Sequence, residues 1–342
     1  HYIGKEDRDI HRVYLQSQEG NREVDEFYST TYMMNREELL DFFDEALLLE
    51  LIDNTIEIKN KIEHLVFGNT TQIPHAHIPE NFIEATVFDK YKDTHQYIKA
   101  MLESEHVSDR YYMALLEKGA NKLNVELDIE KIDRIELEVE QLVKLTEYFG
   151  DPMSGYFLAT KEIVDLMWNM TILAPNRGSA ACYYTNYLLG IVQIDAIEYD
   201  LPYWRFLHEA RGKEMPDVDL DSAAHLRTQV IDLIRKTYGY NNVLPMATYT
   251  TEGNASTVLS VCRGLGIDNA VANNIRNTLN DHDMYTQLYG NNDKKIKPNN
   301  ALIESLRQLD VNIEKYLLAI SGLISGRSQH ASGVVVFNNG YI

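Results

Sequence analysis

A chain of 342 residues has room for two or three domains at roughly 150 residues each, which excludes a peptide or a small stapled scaffold. Hydrophobic residues make up 44% and charged ones 25%, and no run approaches the roughly 18 apolar residues of a membrane span, so no membrane association is expected. Lys and Arg number 32 against 52 Asp and Glu, a net charge of −20, which argues against binding nucleic acid by bulk electrostatics alone; any polyanion must be met locally or through metal ions.

The two cysteines, Cys182 and Cys262, form no CxxC pair and no disulfide framework, so a reducing compartment and a cytoplasmic location are expected. The sequence opens on His1 with no apolar signal-like stretch, as a piece cut from a longer chain would. Charge is uneven: residues 222–342 hold 11 Lys and Arg against 9 Asp and Glu, so that third is +2 and the first 221 residues carry −22. The C-terminal third is therefore the part that can face phosphate without strong repulsion.

Apolar residues recur at helical spacing over 36–65, 88–119 and 127–148. Between the first two, Gly68 to Pro79 (GNTTQIPHAHIP) has turn formers and no apolar period, and reads as a domain boundary. His75 and His77 sit there at i, i+2; with no third ligand nearby, exposed linker histidines explain them better than a metal does. From Gly155 the texture changes: Tyr156–Leu158 reads as a short strand, 160–169 as a helix and Thr171–Ala174 as a second strand. The polar turn Asn176 to Ala181 then opens an apolar helix over 181–191. A strand, a Gly-Ser turn and a helix in that order expose backbone N–H groups and form a seat for phosphate.

The sharpest local feature is Met215 to Asp221, MPDVDLD. In an extended strand Asp217, Asp219 and Asp221 share one face, with Val218 and Leu220 packed behind. Carboxylates so crowded repel unless divalent metal neutralises them, and such a pair can bridge two ions roughly 3.5–4 Å apart. An acidic strand edge that resists aggregation is the plainer alternative. Within about 45 residues the sequence supplies Gly178-Ser179, Arg205 and the aspartates, respectively a phosphate seat, a cation and a metal cage. Together they suggest phosphoryl transfer from a nucleoside triphosphate. Further on, 254–282 and 300–323 have helical spacing, Asp293 to Asn300 is a lysine-bearing polar loop, and His330 lies in a Gly- and Ser-rich turn before the strand candidate Val334 to Phe337.

Gly155 to Asp221 (GYFLATK … PNRGSAA … YLLGI … WRFL … MPDVDLD) closely resembles the palm segment of the bacterial replicative, C-family DNA polymerases, the DNA polymerase III alpha subunits. That family shows GYFLIV, PGRGSAAGS, YxLGI, ERFL and MP-D-x-D-x-D in this order. Downstream, Arg235 to Gly239 is similar to its KYG, Ala247 to Tyr249 to its ITFGT and His330 to Val335 to its HAxGVV; upstream, His1 to Ile3 resembles the end of its PHP domain.

The resemblance implies an α+β fold: a nucleotidyltransferase-type palm, a mixed sheet with helices, carrying an inserted helical thumb and preceded by a PHP-domain remnant. The implied division is 1–66 for the PHP part, 67–247 for the palm (helical lead-in 80–150, catalytic core 151–247), 248–325 for the thumb and 326–342 for the return to the palm. It implies that Asp217 and Asp219 are catalytic and hold two Mg²⁺, with Mn²⁺ able to substitute, and that Asp221 is a further metal-facing acid. Gly178, Ser179, Arg177 and Arg205 are implied to meet the triphosphate. The implied partners are primer-template DNA and dNTP, with a sliding clamp and a proofreading exonuclease engaged through other regions. A third essential aspartate is expected after the HAxGVV segment, so this piece alone is expected not to extend primers.

Departures point to the rival reading, a divergent non-catalytic homologue that binds DNA or a replisome partner. Cys182-Tyr183 replace the usual Gly-Ser, Ala255 and Leu259 stand where a lysine and an arginine are usual, Ser260 replaces an aspartate, and Gln329 replaces the lysine before HAxGV; Arg263 keeps its place. The missing cations predict weaker phosphate contacts.

Overall fold

A computed structural model describes residues 3–19, 29–62, 71–170, 177–211, 215–279 and 281–338. The predicted strand Thr171–Ala174, the turn residues Pro175 and Asn176, the linker residues 68–70 and His1 fall outside them.

In chain order the helices are α1 (Arg8–Glu19), α2 (Arg36–Leu39), α3 (Glu45–Lys61), α4 (Gln96–Leu102), α5 (Val107–Leu123), α6 (Ile129–Phe149), α7 (Ser154–Trp168), α8 (Tyr184–Leu189) and α9 (Arg227–Tyr238). Strand β1 (Val243–Thr251) follows, then α10 (Asn254–Gly264), α11 (Asn269–Asn277), α12 (Met284–Tyr289), α13 (Asn300–Leu309), α14 (Ile313–Ile320) and β2 (Ile324–Val336). Among the described residues β1 and β2 form one two-stranded sheet, so the fold is a helix-rich mixture of the α+β kind. The pairing is antiparallel: Glu252 N–H donates to Leu323 O at 2.8 Å, and Phe337 N–H donates to Asn242 O at 2.7 Å.

The chain divides into two compact units, one made of 1–66 with 247–331 and the other of 67–246 with 332–342. The core of the first joins α1 to α10, α11, α13 and α14 through Val13, Val258, Val261, Ala272, Leu306, Ile313, Leu317 and Ile320. Leu259 packs against this core, Ser260 is buried and Ala255 is exposed. Arg263 donates to Ser17 O at 3.2 Å. His330, expected in a turn, lies within β2.

The second unit is built on α4 to α9. Helix α6 shows why the sequence folds this way. Asp128 caps its start by accepting from the Lys131 N–H, Gly150 ends it at φ 71°, and Ile132, Ile135, Val139, Leu142 and Leu145 make a buried stripe at helical spacing. Those side chains meet Ile98, Met101, Tyr112, Leu116, Phe157 and Tyr183 in one core. Helix α5 crosses α8 so closely that a Cβ on Gly119 would lie 1.8 Å from Leu188 O, so only glycine permits the approach. A smaller core joins α7 and α9 through Val164, Met167, Val230, Ile234 and Val243, with Val334 and Val336 against it.

Two local expectations are corrected. Tyr156–Leu158 is not a strand but part of α7, because Gly155, Phe157, Leu158 and Ala159 are all buried on a helix packed on several sides. Residues 181–191 do not form one helix: a 3₁₀ turn, Ser179–Cys182, gives way to α8 at Tyr183, whose backbone is extended (φ −103°, ψ 122°).

Candidate active site

The segment carrying the three aspartates, 215–223, has no regular secondary structure and is held by its apolar members rather than by strand pairing. Met215 and Val218 pack against the main core of their unit and Leu220 against the smaller one. Tyr156, from α7, donates its hydroxyl to Pro216 O at 2.6 Å. Burial raises the Tyr156 pKa, and the nearby Asp217 carboxylate raises it further, so this phenol stays protonated as a donor. The expected strand is thus replaced by an anchored irregular segment that keeps the expected order of apolar residues behind acids.

Gly178 sits beneath that segment. Its backbone, at φ 78° and ψ −168°, lies in a region that only glycine occupies freely, and a Cβ there would lie 2.8 Å from Asp219 Oδ2. The glycine therefore serves both the bend and the close approach of a carboxylate. Immediately before it, Arg177 places Nη2 3.2 Å from Asp221 Oδ1 and 3.8 Å from Asp219 Oδ1. These pairs are solvated, with side-chain exposures of 65% for Arg177, 44% for Asp219 and 46% for Asp221, so the arginine can leave without opening a core.

Arg177, Gly178, Asp219 and Asp221 are thus brought together, with Ser179 next in the chain at the start of the 3₁₀ turn. Asp217 is exposed, and its charge is felt by Tyr156. Arg205 closes a second 3₁₀ turn, Tyr203–Arg205, which packs against Ser179–Cys182. Burial pushes the Cys182 thiol up, while the charges of Arg205 and Arg134 pull it down. Among the described residues no three His, Cys, Asp or Glu side chains are gathered to hold a metal ion. The all-oxygen donors Asp219 and Asp221, already sharing one cationic group, nevertheless suit a hard divalent ion of the kind held by one or two carboxylates plus substrate phosphates.

Sequence reasoning missed the pair that fixes this turn. Glu138 of α6 is fully buried and accepts from Tyr184 N–H at 2.7 Å, Thr185 N–H at 2.8 Å and Thr185 Oγ1 at 2.7 Å, capping α8 from another helix. Arg134, one turn earlier, donates Nε to Glu138 at 2.7 Å and Nη2 to Cys182 O at 2.6 Å and Leu201 O at 2.8 Å. Burial pushes the Glu138 carboxyl up, with Arg134 and Thr185 opposing it. One guanidinium therefore joins the Ser179 turn to the loop leading into Arg205. The sequence signal, Arg and Glu at i, i+4, reads as an ordinary helix-surface pair.

The departure Cys182-Tyr183 is absorbed by the core. The Tyr183 ring lies 6.0 Å from Phe157 in a stacked arrangement and 5.1 Å from Phe206 edge-on, and its hydroxyl donates to Leu207 O at 2.8 Å. Asn186 Nδ2 donates to Ala180 O at 2.9 Å and ties the turn to α8. The linker histidines bind acids rather than forming a cluster: His75 pairs with Asp151 at 3.1 Å and His77 with Glu162 at 2.9 Å.

Residues 101–342 match the model of the family described as the bacterial DNA polymerase III alpha NTPase domain. The chain belongs to the bacterial DNA polymerase III alpha family. It is 33% identical over 360 aligned residues to the probable DNA polymerase YorL of Bacillus subtilis (strain 168), an alignment covering 100% of this chain and 27% of that protein. The same figures hold for the DNA-directed DNA polymerase of Bacillus phage SPbeta. With the DNA polymerase III subunit alpha of Aquifex aeolicus (strain VF5) it shares 25% identity over 98% of this chain and 30% of that one. The chain thus spans less than a third of the length of these curated relatives. No helix among the described residues of this family member is long and apolar enough to cross a membrane.

Proposed function

We propose that this chain is the nucleotide- and metal-binding part of a DNA-directed DNA polymerase of the alpha-subunit type. In this reading 67–247 with 326–342 is the palm, 248–325 the helical thumb and 1–66 the end of a PHP domain. The observation that carries it is the seating of Asp219 against Gly178, with Arg177 between Asp219 and Asp221: acid, bend and cation converge although they lie some forty residues apart in the chain.

The substrates would be primer-template DNA and a dNTP. The primer 3′-hydroxyl loses its proton and bonds to the α-phosphorus, the bond from that phosphorus to the β-phosphate oxygen breaks, and pyrophosphate leaves. Asp217 and Asp219 would hold two Mg²⁺, with Asp221 beside them and Mn²⁺ an acceptable substitute. Bound there, the ions would neutralise phosphate charge and lower the pKa of the attacking hydroxyl. Gly178 and Ser179 would donate to the triphosphate, and Arg177 and Arg205 would neutralise it, held in register by Arg134 and Glu138. Tyr156 keeps the acidic segment in place through Pro216. Clamp and exonuclease contacts would be made by other parts of the longer protein.

The test is Asp217→Asn in the full-length protein, followed by primer extension and DNA binding. Loss of synthesis by about a thousandfold or more with DNA affinity retained is expected. Synthesis within tenfold of the parent would refute the assignment of Asp217, whereas a parent that binds DNA without synthesis would favour the non-catalytic reading, which rests on Ala255, Leu259 and Gln329 in the places of cations.

A further inference from the structure

Two carboxylates that are to receive metal repel each other when the metal is away, and the structure points to the cation that eases this repulsion. We propose that Arg177 is an exchangeable counter-ion. With no metal on the carboxylates it binds Asp219 and Asp221; when metal and nucleotide arrive, it releases both acids and moves to the triphosphate. This rests on the polymerase reading of the same site and adds a competition that the reading does not require.

Three observations support the exchange. First, the guanidinium occupies the carboxylate oxygens themselves, 3.2 Å from Asp221 and 3.8 Å from Asp219, so a divalent ion and Arg177 compete for the same ligands. Second, the arginine side chain is 65% exposed, so moving it disrupts no packing. Third, Arg177 immediately precedes Gly178, whose missing side chain lets Asp219 approach; the cation that leaves the acids therefore stays beside the phosphate seat. A guanidinium is charged at any working pH, so only displacement removes its competition. Two solvated pairs of this kind hold the arginine by roughly two- to thirtyfold in equilibrium terms.

The exchange predicts opposite effects on metal alone and on metal with nucleotide. A simple phosphate ligand would affect only the second. Free Mn²⁺ is titrated by electron paramagnetic resonance against this chain, Arg177→Gln, Arg177→Lys and Asp219→Asn, each with and without dNTP, after circular dichroism has checked that each variant is folded. Arg177→Gln is expected to bind Mn²⁺ alone roughly fivefold more tightly and Mn²⁺ with dNTP more weakly than the parent, with Arg177→Lys between them. If Arg177→Gln binds Mn²⁺ alone no more tightly while Asp219→Asn abolishes binding, the exchange is overturned and the polymerase site stands. If Asp219→Asn leaves Mn²⁺ binding unchanged, the site assignment fails and the exchange with it. Arg177→Lys decides the matter by the same criteria should Arg177→Gln not fold.

Discussion

Removing the Glu138 carboxylate should destabilise the unit that carries the site far more than an ordinary i, i+4 pair would. The side chain is fully buried and accepts four hydrogen bonds of 2.7 to 2.8 Å, from Arg134 Nε, Tyr184 N–H, Thr185 N–H and Thr185 Oγ1. Glu138→Ala leaves Arg134, whose side chain is 16% exposed, without its anion and leaves the two N–H groups at the start of α8 without a partner. Breaking a buried pair from one side costs about 3–5 kcal/mol. That is a large share of the roughly 5–15 kcal/mol that holds a typical domain together. A solvated helix pair of the same spacing contributes only about 0.3–0.5 kcal/mol, so the two accounts differ by nearly a factor of ten. Urea denaturation followed by circular dichroism separates them, with Arg134→Met/Glu138→Ala closing the cycle. The double variant should recover part of the loss, because no unpaired charge remains buried. A loss below about 1 kcal/mol for Glu138→Ala, at unchanged denaturant slope, would refute the reasoning.

Gly178→Ala forces a side chain to φ 78° and sets its Cβ 2.8 Å from Asp219 Oδ2. A strain of about 1–3 kcal/mol is expected, read as weakened Mn²⁺ and dNTP binding in calorimetry; unchanged affinity would show that Asp219 is not needed at the bend. Tyr183→Ala empties the space between Phe157 and Phe206 and should cost about 3–5 kcal/mol in urea denaturation, whereas Tyr183→Phe loses only the bond to Leu207 O. In the other unit, burial alone would push the Glu314 carboxyl up, but hydrogen bonds from Arg307 and Tyr289 and the Arg307 charge bring it below its ordinary value of 4.5. A lowered folded-state pKa adds stability that is present above about pH 4.5 and is lost as pH falls through the lower folded value. Arg307→Met should therefore flatten the acid limb of the stability curve below pH 4.5, and an unaltered limb would contradict this.

What the sequence revealed followed the reach of the interactions involved. Helices α5, α6, α10 and α13 were readable because their apolar stripes recur within each helix, and the bend was readable because Arg177, Gly178 and Ser179 adjoin. The run Tyr156–Leu158 was too short to separate a strand from the opening of a buried helix, since period alone cannot do so. The break at Tyr183 depends on a ring entering between Phe157 and Phe206, residues more than twenty positions away on either side. Arg134 and Glu138 were hidden for the same reason: their spacing describes a surface pair, and only the arrival of α8 and of the Leu201 loop makes them a clamp. The acids at 217, 219 and 221 were found by their pattern. The arginine that neutralises two of them was visible only as a member of the phosphate seat.

Crystals soaked with Mn²⁺ and a dNTP, with anomalous scattering recorded at the manganese edge, put the site itself to the test. The account predicts manganese bound by Asp219 with Asp217 or Asp221, a triphosphate on Gly178 and Ser179, and Arg177 turned from the carboxylates to the phosphates. Manganese or triphosphate density seated away from these residues would contradict it.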